Sequence, residues 1–194
     1  TWTSTGTIFE TSSGGCIVLG GRAPLFRGII SPGSEVRLGM NMVVPADQVA
    51  FAELTGDPLL WGGKTTWQSI SFGTNSVFEF RCPTIWTTAY YVTVGGTGIV
   101  RVAEGATLTH NSAADWYFRT GSTLENRGTL LFLGPSTQPL RMDASGGGVG
   151  TVLNRENGII ISEVGNRTIA MANSNQTFSN FGTVEVRNGS TFTI

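Results

Sequence analysis

The side chains able to do chemistry are few and scattered. His110 is the only histidine, and the two cysteines, Cys16 and Cys82, are far apart. A zinc site needs several Cys, His or carboxylate ligands in close array, and the chain has neither a CxxC nor a Cys/His cluster. One disulfide, Cys16–Cys82, is open to it in an oxidising compartment; two buried thiols are the alternative. Cleavage of an acidic polysaccharide would need clustered carboxylates, often with calcium, and a basic residue on the same face. Here Asp47, Asp57, Asp115 and Asp143 are dispersed. Glu125 with Arg127, and Glu185 with Arg187, stand two residues apart and read as solvated pairs worth little each. The densest group is the segment HNSAADWYFRTG (110–121), which offers Asp115, Trp116, Tyr117 and Arg119 as a glycan contact. No catalytic residue, metal ligand or cofactor is expected. For the tryptophans, core packing competes with stacking on sugar rings.

Composition narrows the partners. The chain has 194 residues, 40% hydrophobic and only 13% charged, with net charge −1. Lys64 is the only lysine, so arginine carries nearly all the positive charge, and no basic patch is visible. Nucleic acid is therefore a poor partner. No apolar run approaches the roughly 20 residues that insert across a bilayer. The first residue is Thr1, consistent with a processed chain from which a signal peptide has been removed, or with an excised piece.

The elements that would position these groups come from a repeat. TLENRGTLLF (123–132) returns as TVLNRENGIII (151–161) and as TFSNFGTVEV (177–186). Anchored on Gly98, Gly128, Gly158 and Gly182, the period is 30, 30 and then 24 residues. After each Gly comes a short strand: IVRV, TLLFL, IIIS, TVEVR. A second group reads ATLTH (106–110), QPLRM (138–142), RTIAM (167–171) and STFTI (190–194). Alternation points Val100 and Val102, Leu130 and Phe132, and Ile160 and Ser162 inward. A hairpin meander does not explain why strands resemble counterparts about 30 residues away. Stacking like on like does, and predicts a parallel β-helix with three strands per coil of about 24–30 residues. Asn126, Asn154 and Asn180 then fall at one corner, where stacked amides form a ladder. The following Gly permits the tight turn, with φ > 0 as one means.

The pattern T-apolar-x-N-x-G-T-apolar-x-apolar, over about residues 95–194, resembles the repeats of secreted bacterial β-helix proteins, the autotransporter passengers and filamentous-haemagglutinin-like adhesins. The resemblance implies a right-handed coil, an extracellular or cell-surface location, and a structural or adhesive, non-enzymatic role. It carries over no functional residue, because the shared motif is structural.

The first half is less regular. PADQVAFAELTGDP (45–58) reads as one short helix near 46–54, with Pro45 at its start and Gly56 at its end. Residues 1–60 are read as an irregular cap with early strands, and 61–194 as continuous coils. Outward apolar residues, Ile99, Leu131, Ile159 and Ile161, suggest a lateral contact face. The chain stops after two strands of its last coil, which suggests head-to-tail stacking on another copy into filaments, or continuation in a longer solenoid. Carbohydrate binding or polysaccharide degradation is the rival reading. An ice-binding array from Thr107/Thr109 and Thr191/Thr193 is a minor one, because Arg141 interrupts it. Asn166, Asn175 and Asn188 match the glycosylation acceptor pattern.

Overall fold

The computed structural model describes residues 7–9, 16–22, 25–30, 32–33, 35–61, 68–87, 92–119, 121–136, 139–142, 150–171 and 176–194. Among them there is no helix; every regular element is a strand. The early turns contribute β1 (Thr7–Phe9), β2 (Cys16–Arg22), β3 (Leu25–Ile30) and the long β4 (Glu35–Val44). Regular three-strand coils follow. The first is β5 (Val49–Gly56), β6 (Leu59–Trp61) and β7 (Gln68–Phe72), and the next β8 (Val77–Phe80), β9 (Thr84–Trp86) and β10 (Val92–Gly96). Then come β11 (Ile99–Val102), β12 (Thr107–His110) and β13 (Trp116–Phe118), followed by β14 (Thr123–Asn126), β15 (Thr129–Phe132) and β16 (Leu140–Met142). The last two coils are β17 (Thr151–Asn154), β18 (Ile159–Ser162) and β19 (Asn166–Met171), and β20 (Thr177–Asn180), β21 (Thr183–Val186) and β22 (Thr191–Thr193).

Each strand pairs in parallel with its counterpart one coil away. The first face runs β1-β3-β5-β8-β11-β14-β17-β20. The second runs from β4 through β6, β9, β12, β15 and β18 to β21, and the third from β4 through β7, β10, β13, β16 and β19 to β22. This is the parallel β-helix that the repeat predicts. Its three faces are joined by corners instead of hairpins, and the like segments are hydrogen-bonded neighbours.

Alternation builds the core. Ile99–Val102, Thr107–His110, Thr129–Phe132 and Thr151–Asn154 each bury every second residue. Stacking turns these positions into columns: Ala50, Phe78, Val100, Leu124 and Val152 on the first face, and Trp61, Trp86, His110, Phe132 and Ser162 on the second. All ten are 2% exposed or less. A fully buried Leu or Phe contributes about 1.5–3 kcal/mol, so a column outweighs any single surface contact. Tryptophans fill the wide middle of the rod. Trp61, Trp86 and Trp116 are each about 1% exposed, and Trp61 meets Trp116 edge-on at 4.7 Å. They are core residues; Trp2 and Trp67 lie outside the described residues.

Three expectations need correction. Val49–Gly56 is a strand, not a helix near 46–54. Ala50, Ala52 and Leu54 point inward at period two, and the segment pairs with β3 on one side and β8 on the other. A helix would leave both of those edges without partners, which outweighs local propensity. Pro45–Gln48 is the turn that precedes it, with Asp47 at φ 57°. The parallel stacking also begins N-terminal to residue 61, since β3, β4 and β5 belong to the same ladders.

The second correction is one of register. Ile99–Val102 lies on the first face, under Thr123–Asn126, at an offset of 24 residues. Thr129–Phe132 lies on the second face, over Thr107–His110. The Gly98 anchor therefore marks a different corner from Gly128, Gly158 and Gly182, and ATLTH belongs with TLLF. The counterpart of LRM (140–142) is Trp116–Phe118.

Third, none of these four glycines has positive φ. They are required by closeness. A Cβ on Gly158 would lie 2.3 Å from Asn154 Oδ1 and 2.5 Å from the Asn126 carbonyl oxygen, and one on Gly128 would lie 2.3 Å from the Ala103 carbonyl oxygen.

Candidate functional site

The corner between the first and second faces carries the polar chemistry. Its inner edge is the asparagine column. Asn126 Nδ2 donates to Asn154 Oδ1 at 2.7 Å, and Asn154 Nδ2 donates to Asn180 Oδ1 at 2.7 Å. The same amides donate to corner carbonyls: Asn126 to Ile159 O at 3.0 Å, and Asn154 to Thr183 O at 3.2 Å. Asn126 and Asn154 are fully buried. The column begins abruptly, because the position beneath Asn126 is Val102, and Asn126 Oδ1 has no hydrogen-bond partner.

Outside the column lies a charged cluster. On the first face the outward positions Arg101 and Glu125 are paired neighbours in adjacent coils. Arg101 Nε donates to Glu125 Oε2 at 2.5 Å, Arg155 Nε donates to Oε1 at 2.7 Å, and Arg127 Nη2 donates to Oε1 at 3.0 Å. Three guanidinium groups from three coils enclose one carboxylate, which is only 1% exposed. Burial pushes the Glu125 carboxyl up; the hydrogen bonds from Arg101, Arg155 and Arg127 more than reverse this and hold it at about 2. The reading of Glu125 as a solvated pair with Arg127 is overturned. Two of its three partners come from neighbouring coils, at positions 24 and 30 residues away.

Corner length then makes a cleft. Arg127–Gly128 and Phe181–Gly182 are two-residue corners; residues 103–106 and 155–158 make four-residue ones. The short corner at Arg127 lies between two longer ones. Asn157 Nδ2 reaches Glu104 Oε1 across two coils at 3.4 Å. The resulting cavity is about 580 Å³, lined by Glu104, Arg127, Arg155, Glu156, Asn157 and Phe181. Arg127 and Arg155 remain about half exposed, and Phe181 is 64% exposed. Of these six, none was identified as a binding residue from the sequence. The available signal was the recurring x-N-[RF] at the end of the third strand, which places Arg127, Arg155 and Phe181 at one corner.

In the segment expected to contact glycans, residues 111–115 are irregular and lead into a strand. Trp116–Phe118 is a strand, and Trp116 points into the core, so it cannot stack on a ligand. Asp115 accepts a hydrogen bond from Ser136 Oγ at 2.8 Å, and the Arg119 guanidinium lies 5.7 Å from the Tyr117 ring centre. The lateral apolar set is divided as well. Ile99 is on the first face, whereas Leu131, Ile159 and Ile161 are on the second, and Ile161 is only 7% exposed. The two TxT pairs also stand on different faces, β12 and β22. Cys82 is a free, buried thiol with Sγ 3.8 Å from Thr84 Oγ1; the side chain of Cys16, its possible disulfide partner, lies outside what is described. Burial pushes that thiol up, away from reactivity. Asn166 and Asn188 are exposed; Asn175 lies outside the described residues.

His110 sits in the second-face column between Trp86, edge-on at 4.3 Å, and Phe132. Its Nε2 lies 3.1 Å from the Ala114 carbonyl, and its buried Nδ1 has no partner. Burial is the main cause that lowers it to about 4, and the nearby Arg167 charge adds to this. It is a neutral core residue.

Among the described residues, no three His, Cys, Asp or Glu side chains are grouped to hold a metal ion. Fold and corner together define a parallel β-solenoid with a polar cleft on one edge. No protein-family model, no curated protein and no solved structure matches the chain.

Proposed function

We propose that the chain is a secreted or cell-surface structural or adhesive solenoid, non-enzymatic, that associates end to end with other copies. The observation that supports this reading is the continuous parallel stacking of like strands on all three faces, a ladder geometry that accepts a like edge. Among the described residues, β20, β21 and β22 stand at one edge of these ladders. Phe178, Val184 and Phe192 pack against the core yet stay half-buried, and Val186 and Ile194 are 49% and 58% exposed. A further parallel coil in register, from another copy or from the rest of a longer solenoid, would bury these groups and pair the edge backbone. The repeat pattern in the second half of the chain supports the cell-surface setting by resemblance.

Sedimentation velocity and negative-stain electron microscopy of the purified chain test the reading. Rods that lengthen with concentration are expected, and Val186→Asp with Ile194→Asp should return them to single units. A chain that stays a single short rod at every concentration would overturn end-to-end association. Antibody labelling of intact cells tests the location; label that appears only after permeabilisation would overturn it.

A further inference from the structure

We propose that the corner cleft binds a neutral oligosaccharide. The cavity of about 580 Å³ lies within the roughly 300–1,000 Å³ typical of small-molecule sites. Its chemistry selects the ligand. Arg127 and Arg155 each commit one nitrogen to buried Glu125, so both guanidinium groups are held in place and their charge is partly compensated. Their remaining N–H groups can only donate. The carboxylate oxygens of Glu104 and Glu156 face the cleft as acceptors. A ligand spanning the cleft must therefore accept at one atom and donate at a nearby one, as adjacent sugar hydroxyls do. A simple anion would meet Glu104 and Glu156, and a simple cation would meet Arg127 and Arg155. Phe181, 64% exposed, adds an apolar wall for the C–H face of a pyranose ring. The arginines are ordered before the ligand arrives, which lowers the cost of binding.

The cleft spans corners of successive coils and its Phe181 lies in the last of them, so binding is measured at concentrations where the chain sediments as single units, which keeps its failure distinguishable from failure of end-to-end association. The test is isothermal titration of the full chain with malto-, cello- and mannohexaose, with hexagalacturonate and triglycine as charged and zwitterionic comparisons. Saturable binding of at least one neutral hexaose is expected, weakened about tenfold or more by Phe181→Ala and by Glu156→Gln. Both side chains are exposed, so the thermal midpoint and the sedimentation profile should match the parent chain. No neutral hexaose binding, binding that survives Phe181→Ala unchanged, or tighter binding of hexagalacturonate or triglycine would each overturn it.

Discussion

Three buried polar residues, Asn154, His110 and Glu125, govern how this rod responds to its surroundings. Asn154 is the middle member of its column, accepting from Asn126 and donating to Asn180. Replacing it with Ala leaves the buried Asn126 amide short of an acceptor, and an orphaned buried group costs about 1–3 kcal/mol. Asn154→Ala should therefore lower the urea midpoint by a larger amount than Asn180→Ala, whose site is exposed. Acid sensitivity has two sources. The folded-state pKa of His110, about 4, lies below its ordinary 6.5, so the unfolded chain takes the proton first. Stability should fall as pH drops from about 6.5 to 4, by about 3 kcal/mol, and His110→Phe should flatten that stretch of the profile. Glu125 is likewise depressed, from 4.5 to about 2. Its contribution is complete above about 4.5 and fades as pH falls toward 2. It is worth at most about 3 kcal/mol, because Arg127 and Arg155 are half-exposed and screened. Urea melts across this range would show both steps. The asparagines were legible in the sequence because one residue type recurs at one place. Glu125 was not, since its decisive partners are remote in the chain and only the true register brings them together.

At the level of elements, glycines set the corners by proximity. Gly158→Ala places a Cβ against Asn154 Oδ1 and the Asn126 carbonyl, so a loss of about 2 kcal/mol or more is expected on thermal or urea unfolding. Gly95 has open space and no positive φ, and Gly95→Ala should change stability by less than about 0.5 kcal/mol. Equal effects from the two substitutions would sink the steric account. The strands themselves could be read from alternation, including the inward sets on both sides of each corner. Two misreadings have physical causes. Pro45 and Gly56 flank Val49–Gly56 in the manner of helix ends, yet Gly56 takes φ 93° at a strand corner, against the Ile30 carbonyl. Gly98 looks like Gly128 in one dimension, but it is small because Phe72 packs on it, with Cβ to Cβ at 2.5 Å if a side chain were present. A glycine reports that something is near; it does not say what.

For the whole molecule, nearly all contacts join one coil to the next, so stability is distributed along the axis. Hydrogen exchange should be slowest in the coils around Phe78–Phe132, where the aromatic core is deepest, and fastest in 177–194, where inward residues stay partly open. Uniform protection along the chain would contradict this. Covering the last coil with another copy should slow exchange there selectively, linking the measurement to end-to-end association. The architecture followed from the sequence because stacking repeats a pattern at a near-constant interval. The cleft did not, because it arises from unequal corner lengths in successive coils, a difference visible only once those coils lie over one another.

The carboxamide column has a sense of direction. Each side chain hands its N–H toward the later coil, and the carbonyls of Ile159 and Thr183 fix that orientation. The rod is thus a one-way relay, with an unmatched oxygen at its start over Val102. If copies associate end to end as proposed, a unit meeting the far end would have to offer an acceptor to Asn180. A copy arriving reversed would bring donor against donor. Under the proposed end-to-end association, growth from this end would be polar, and a two-fold pair joined there would be disfavoured by the same amides that hold the corner together.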